Sequence, residues 1–211
     1  ASACIPRSVL KAADAPASGF LAADLSQARI SILSDSMGIA PLLQRDLAAI
    51  GLDVSLDSTS AEVDGIIDLR PLRNFSDAAE ASRASLALFE SAKAISSNPR
   101  LLVAVQSMDG DFGLSQLGGQ SCYAAGVAGV VRTAGQEWPD ALCKVVDLAP
   151  PLLGDPAAAA GLIAKELLHG GSEIEIGYTE SAKRRGLSLE EQSFPEGPLP
   201  LGREDVVVVS G

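Results

Sequence analysis

A tyrosine stands near the start of a run of small residues between Ser121 and Trp138, "SCYAAGVAGVVRTAGQEW". We predict that this run forms a helix. A phenol can act as a general acid, so Tyr123 is the first residue to consider for chemistry. The residue four places further on shares its face of a helix, and here it is Val127. An aliphatic side chain cannot transfer a proton, so Tyr123 would lack a second acid–base group on the same helix face.

A pair of carboxylates offers a second possibility. Asp109 and Asp111 flank Gly110 in a loop rich in Gly and Asp, where such a pair could bind a metal or act as acid and base. We interpret this loop instead as a solvated turn. The remaining candidate ligands are Cys4, Cys122, Cys143 and His169. The cysteines are odd in number and lack zinc-ligand spacing, so the sequence predicts neither a disulfide framework nor a metal site.

Strands and helices alternate along most of the chain. Apolar runs predict strands in "ARISILSD", "LDVSLDS", "VDGIIDLRPL", "RLLVAVQS", "CKVVDLAP" and "SEIEIGYT". Helical spacing predicts helices in "MGIAPLLQRDLAAIG", "SDAAEASRASLALFESAKAISSNP", the tyrosine segment and "PAAAAGLIAKELLHG". Continuous apolar strands that alternate with helices are typical of a parallel sheet with helices on both faces. The predicted fold class is therefore α/β.

The two ends of the chain depart from this alternation. We divide the chain into an N-terminal extended segment at 1–28, a main domain at 29–192, a linker at 193–202 and a final strand at 203–211. The pattern weakens from Ser181, and clustered Pro and Gly predict the linker. The basic cluster Lys183-Arg184-Arg185 is interpreted as a solvated turn, with an anion site as the less favoured alternative. The last segment, "REDVVVVSG", predicts a strand that begins a further domain.

The charge balance excludes some partners. Acidic residues outnumber basic ones 27 to 16, for a formal net charge of −11. Such a field repels phosphate backbones and anionic lipid, so neither nucleic acid nor a membrane is an expected partner. No apolar run approaches the roughly 20 residues of a membrane span, and the first residues lack the hydrophobic region of a signal peptide. We expect a cytoplasmic protein.

The order of elements resembles the short-chain dehydrogenase/reductase superfamily, in a degenerate Rossmann-like form. In that superfamily, glycines in the first strand–helix turn let a pyrophosphate approach the helix N-terminus. The corresponding turn here, "LSDSMGIA", keeps Gly38 but has Ser34 and Ala40 in place of the outer glycines. Asp57 falls near the position that contacts a ribose, but without the glycine turn we do not count it as a ligand.

The same resemblance places the catalytic residues. The superfamily's serine falls near Ser107, its tyrosine at Tyr123 and its lysine at Val127. In these enzymes the lysine lowers the pKa of the tyrosine and holds the nicotinamide ribose, which valine cannot do. The resemblance therefore implies that these are degenerate positions with no catalytic residue, and we interpret Tyr123 as a core residue with its hydroxyl at a polar edge.

The chain is similar to the structural subdomain of the ketoreductase in type I polyketide synthases and polyunsaturated fatty acid synthases. There a pseudo-Rossmann half precedes the NADPH-binding half and packs against it. The most specific stretches are "VAGVVRTAGQEWPDALCKVVDLAP", "EIEIGYTESAKRRGLSL" and "DVVVVSG". The likeness implies a non-catalytic role with no cofactor in this chain and NADP in the parent, where Ser210 and Gly211 begin the cofactor fingerprint.

The resemblance also implies two partners, the downstream catalytic half and the acyl carrier protein whose β-ketoacyl chain the parent reduces. One alternative is a degenerate Rossmann binding module for a nucleotide or an acyl carrier protein. Another is an independent reductase with rearranged residues, for which we find no base. Gly126, Gly129 and Gly135 predict close helix packing, because glycine in a helix costs up to roughly 1 kcal/mol relative to alanine. Trp138 and Phe112 are interpreted as anchors of the core or of a domain interface, and an exposed apolar patch around them would mark a docking surface.

Overall fold

The computed structural model describes residues 7–58, 62–73, 75–95, 97–115 and 120–193, together with residues 202, 204, 206 and 208. The strands within these ranges are β1 (Arg7–Asp14), β2 (Arg29–Leu33), β3 (Asp53–Leu56), β4 (Gly65–Asp68), β5 (Leu101–Gln106), β6 (Leu142–Leu148), β7 (Glu175–Tyr178) and β8 (Arg184–Gln192). The α-helices are α1 (Ile39–Ala49), α2 (Ala78–Lys93), α3 (Gly126–Glu137) and α4 (Pro156–His169).

The strands form a single sheet in the order β1-β8-β7-β6-β5-β4-β2-β3. The six strands from β3 to β7 in this order pair in parallel. Apolar side chains of α1 and α4 pack on one face of the sheet, and those of α2 and α3 pack on the other. Strands β5 and β6 lie between the two layers and are buried along their whole length. The predicted α/β fold with helices on both faces is confirmed.

One edge of the sheet differs from the parallel arrangement that the sequence predicts. Strand β8 runs antiparallel to β7, and β1 runs antiparallel to β8, with Arg7 opposite Gln192. Part of the predicted N-terminal extended segment is thus a strand of the main sheet. Part of the polar stretch after Ser181 is a strand as well. Most residues of β1 and of the second half of β8 are exposed, whereas β8 begins with the buried Arg184. Their sequences therefore lack the apolar run that marks a covered strand.

The interpretation of the basic cluster as a solvated turn is wrong for Arg184. Its guanidinium is 7% exposed and bonds both carboxylate oxygens of Glu166, at 2.7 and 3.0 Å. Glu166 in α4 also accepts hydrogen bonds from Lys144 Nζ in β6 at 2.7 Å and from the Tyr178 hydroxyl in β7 at 2.8 Å. One buried carboxylate therefore joins a helix to three neighbouring strands. We call these four side chains the Glu166 cluster.

Most of the predicted linker at 193–202 and of the final strand at 203–211 lies outside the described residues. Val206 and Val208 are described, and they are 88% and 87% exposed. None of the described helices is long and apolar enough to cross a membrane.

Candidate functional site

A crevice of about 490 Å³ opens at the carboxyl ends of β2 and β4. Open α/β sheets bind ligands at this edge, where neighbouring connections diverge to opposite faces of the sheet. One wall is the turn that leads into α1, at Ser34–Met37. The other wall consists of a short 3-10 helix, Arg70–Leu72, and the first half of α2. By its position, the crevice is therefore the candidate cofactor site of this fold.

The N-terminus of α1 is already occupied by an internal carboxylate. Asp35 accepts hydrogen bonds from the backbone amides of Met37 at 2.5 Å, Ile39 at 3.2 Å and Ala40 at 2.8 Å. These are the donors, at the positive end of the helix dipole, that would otherwise bind a phosphate. A pyrophosphate would have to displace Asp35 and meet its negative charge. The turn therefore does not fit a dinucleotide.

The residue near the predicted ribose position is also engaged. Asp57 follows β3 and accepts hydrogen bonds from the backbone amide of Ser34 at 2.8 Å and from its hydroxyl at 2.7 Å. These two bonds hold the pKa of the Asp57 carboxyl below its usual range, so it is a charged acceptor with its partners already in place. Ser34 thus links the end of β2 to the end of β3 through its two hydrogen bonds to Asp57.

Two of the positions that the resemblance assigns to catalytic residues have separate surroundings. Ser107 follows β5, and its hydroxyl donates to the backbone carbonyl of Leu148 at the end of β6, at 2.8 Å. Tyr123 lies in a 3-10 helix, Gln120–Ala125, and its side chain is 38% exposed. Within the described part of the chain, no hydrogen bond joins the two. The expectation that Tyr123 caps the core is wrong, because its ring lies at the surface.

Val127 behaves as the sequence predicts for a packing position. It is 1% exposed and belongs to the apolar cluster that α2 and α3 form against the sheet, beside Leu88 and Val131. A lysine here would carry its charge into that cluster. The structure thus confirms that Val127 packs in the core.

The loop after β5 is not the solvated turn that we expected. It folds over Asp147 at the end of β6, which is fully buried and accepts hydrogen bonds from the amides of Met108 at 2.5 Å and Phe112 at 2.8 Å. Gly110 has a φ of 69°, and a Cβ there would overlap the carbonyl oxygen of Tyr178. The loop is therefore packed tightly onto the sheet edge.

The electrostatics of this loop are unusual. Burial, together with the negative charges of Asp111 and Asp109, raises the pKa of Asp147 to about 7 against the opposing effect of the two amide hydrogen bonds. One carboxylate oxygen of Asp111 is buried with no hydrogen-bond partner among the described residues. Even so, no group of three acidic, Cys or His side chains in the described ranges could hold a metal ion.

A second depression, of about 450 Å³, lies on the outer surface of α2 and α3. Its walls are mainly apolar and include Phe89, Val130 and Trp138, and Phe89 is 47% exposed. Leu86, one turn earlier on α2 and outside the residues that line the depression, is 57% exposed. We call this surface the α2–α3 groove. It contains one of the two aromatic residues predicted to anchor a docking surface, whereas Phe112 belongs to the loop over Asp147.

The glycines of α3 have different surroundings. A Cβ at Gly126 would overlap the Ser85 hydroxyl of α2, and one at Gly135 would lie 3.3 Å from the Cβ of Cys143, so both fit the predicted close packing. At Gly129 a Cβ would meet nothing within 4 Å. No close contact in the described residues explains the glycine at this position of the groove.

Solved structures provide a comparison for the whole arrangement. The ketoreductase from the first module of phoslactomycin biosynthesis in Streptomyces sp. HK803 has a TM-score of 0.54 at 19% identity, over 90% of this chain and 38% of that chain. The first ketoreductase of the tylosin polyketide synthase has a TM-score of 0.55 at 17% identity, over 87% of this chain and 41% of that chain. The fold is shared with polyketide synthase ketoreductases.

A structure of A-type ketoreductases from a modular polyketide synthase agrees, with a TM-score of 0.52 and 18% identity over 93% of this chain and 44% of that chain. The chain therefore spans only about two fifths of the length of these structures, 38% to 44%. Neither a protein-family model nor a curated protein sequence matches the chain.

Several residues of these sites are not predicted from the sequence. Asp35 has a local signal, since an aspartate just before a helix commonly caps its amides. Asp147 has none, because its donors come from a loop 35 to 39 residues away. The predicted start of a cofactor fingerprint, Ser210 and Gly211, lies outside the described residues.

Proposed function

We propose that this chain is the non-catalytic structural half of an NADPH-dependent β-ketoacyl reductase domain in a multidomain polyketide or fatty acid synthase. Its role is to stabilise the catalytic half, which lies downstream and reduces the β-keto group of a chain carried by an acyl carrier protein. The partial coverage of the ketoreductase structures supports this proposal, because this chain matches less than half of each of those chains. The remainder of each is long enough to form a second half.

The state of the crevice supports a non-catalytic role. Asp35 takes the amides that a pyrophosphate would need, and Asp57 is bound to Ser34. Ser107 is bound to a backbone carbonyl, and Val127 is buried in the core. With Ser107 engaged and an aliphatic side chain at position 127, we expect the described residues not to reduce a carbonyl on their own.

The observation that carries the proposal is the α2–α3 groove. Apolar side chains exposed in a contiguous patch mark an interaction surface more often than single exposed residues do. Gly129 strengthens this interpretation, because glycine within a helix costs up to about 1 kcal/mol relative to alanine. A partner whose side chain or backbone approaches α3 closely would explain why no Cβ is present there. We infer that the catalytic half packs into this groove.

A pair of glycine variants tests this docking mode. Gly129→Leu places a side chain in the groove, and Gly161→Leu places one on the exposed side of α4, in the opposite helix layer. A Cβ added at either position would meet nothing within 4 Å. Both substitutions replace a helical glycine by a good helix former, so each is expected to keep or slightly raise the free energy of unfolding.

Binding to the separately expressed downstream half is then measured by calorimetry. We expect Gly129→Leu to weaken binding at least tenfold, about 1.4 kcal/mol, and Gly161→Leu to leave it unchanged. Equal affinities for the two variants would refute docking in the groove. In a parallel assay, this chain alone should not oxidise NADPH with a β-ketoacyl surrogate, and clear turnover would refute the non-catalytic role.

Titration with NADPH separates this proposal from the alternative of a nucleotide-binding module. The cap on α1 and the engaged Asp57 lead us to expect no heat of binding at micromolar nucleotide. Micromolar binding by this chain would favour the alternative.

A further inference from the structure

The crevice at the ends of β2 and β4 has an unusual charge distribution for this protein. The whole chain carries a formal net charge of −11. The residues that line the crevice nevertheless include three arginines, Arg70, Arg73 and Arg83, and a single carboxylate, Asp35. The charge of Asp35 is directed at the amides of α1, as described above. The arginines lie on the opposite wall, formed by the 3-10 helix and α2.

Arg70 is held in a fixed orientation at this wall. Its Nε and Nη2 donate to the two carboxylate oxygens of Asp68 at 2.8 and 2.7 Å, and Nη2 also donates to the Ser91 hydroxyl at 3.2 Å. Its side chain is 36% exposed. These bonds use one edge of the guanidinium, and Nη1 has no partner among the described residues. Arg70 is thus held in place, and its Nη1 donors are available for a ligand.

Arg73 and Arg83 complete the wall. Arg73 Nη1 lies 3.2 Å from Glu80, and its guanidinium carbon lies 5.4 Å from the centre of the Phe75 ring. Arg83, in α2, is exposed and makes no ion pair within 4 Å in the described ranges. Two arginines are therefore held by neighbouring side chains at the crevice. The third, Arg83, makes no direct ion pair, although its charge interacts with the Asp77 carboxylate at the start of α2.

Three guanidinium groups at one wall favour an anionic ligand with several oxygen acceptors. Arginine binds the oxygens of phosphate through paired N–H groups, and such charge-assisted hydrogen bonds are stronger than neutral ones. A volume of about 490 Å³ is within the range of small-molecule pockets. The usual anion position at the helix N-terminus is closed by Asp35, so an anion in this crevice would have to bind the opposite wall.

We propose that the wall formed by Arg70, Arg73 and Arg83 binds the phosphate group of a small-molecule ligand. The site differs from a dinucleotide site in its donors, which are guanidinium groups of the 3-10 helix and α2 in place of backbone amides of α1. The proposal goes beyond the proposed function, which requires only that the amides of α1 do not hold a dinucleotide and that the catalytic half packs into the α2–α3 groove.

Titration of the chain with inorganic phosphate at low ionic strength, followed by amide NMR, tests the site. Two variants, Arg73→Ala and Arg83→Ala, each remove one lining charge. Arg45→Ala is the matched control, because Arg45 is an exposed arginine of α1 that pairs with Asp46 and does not line the crevice. All three variants change the net charge by the same amount, so differences among them report position. A parallel titration with chloride corrects for ionic strength.

We expect saturable shifts of amides around Arg70–Arg73 and Arg83–Ala87 at millimolar phosphate or below. Arg73→Ala and Arg83→Ala should each weaken binding about tenfold or more, and Arg45→Ala should bind as the parent does. The proposal is wrong if phosphate causes no saturable shift beyond the chloride effect. It is also wrong if Arg45→Ala weakens binding as much as the other two variants.

Discussion

Replacing Glu166 by glutamine should remove a large part of the protein's stability. Glu166 accepts four hydrogen bonds from Lys144, Tyr178 and Arg184. The carboxylate and the Lys144 amine are fully buried, and the Arg184 side chain is 7% exposed. A glutamine keeps the shape but not the charge, so it leaves the buried Lys144 without its counter-ion and Arg184 with only the half-exposed Glu173.

Removing one partner of a buried ion pair typically costs about 3 to 5 kcal/mol. We therefore expect Glu166→Gln to lower the free energy of unfolding by about 4 kcal/mol. For a domain near the middle of the usual range, at about 10 kcal/mol, the urea midpoint falls by about two fifths at constant m-value. Urea unfolding followed by circular dichroism measures this change.

Glu173→Gln is the matched control. Glu173 also reaches Arg184, at 3.4 Å, but its side chain is 47% exposed, and exposed pairs contribute about 1 kcal/mol or less. A loss below about 1 kcal/mol for Glu166→Gln, similar to that of the control, would refute the reasoning.

The cluster also predicts a dependence on pH. Burial opposes the charged carboxylate, but the hydrogen bonds from Arg184 and Lys144 outweigh it and lower the pKa of Glu166. Its contribution is therefore present above the pKa of an unfolded glutamate and is lost as the pH falls through the lower folded value. Glu166→Gln should flatten the acid side of the stability profile.

Three further predictions concern other parts of the molecule. Val127→Lys should lower the free energy of unfolding by about 4 kcal/mol, because it buries an unpaired charge, and should confer no NADPH-dependent reduction; an unchanged melting temperature would contradict this. Since burial raises the folded pKa of Asp147 to about 7, its contribution to stability should be lost as pH rises from about 4 to about 7. Asp111→Asn should make that decline shallower in urea midpoints measured across the range, whereas the exposed Asp140→Asn should not. Deletion of Val206–Gly211 should leave cooperative unfolding intact and reduce self-association in sedimentation experiments, because it removes exposed valines; loss of cooperativity would place that segment in the core.

The parallel part of the fold could be predicted because its signals are local. A strand covered on both faces, such as Leu101–Gln106, is a continuous apolar run, and each helix has apolar residues at the spacing of one face. The burial of Val127 follows from the same reasoning. These features need no knowledge of distant residues.

The parts that could not be predicted depend on long-range pairing. Arg184 lies in a polar stretch, and only the distant Glu166 makes it a buried residue. Asp147 likewise receives its donors from a separate loop. The prediction for Tyr123 is wrong for a related reason. The sequence pattern shows which face of a helix is apolar, but it does not show how deeply the 3-10 helix before α3 is buried.

The pairing of β1 with β8 has a mechanical consequence. Arg7 and Gln192 are opposite each other at one end of an eight-residue antiparallel ladder, so the first and last described strand residues of this sheet lie side by side. A tensile force between flanking segments would load the ladder from that end and open its hydrogen bonds in succession, as a zipper opens, instead of shearing them all at once. The parallel sheet behind β8 would carry no load until the ribbon had come apart.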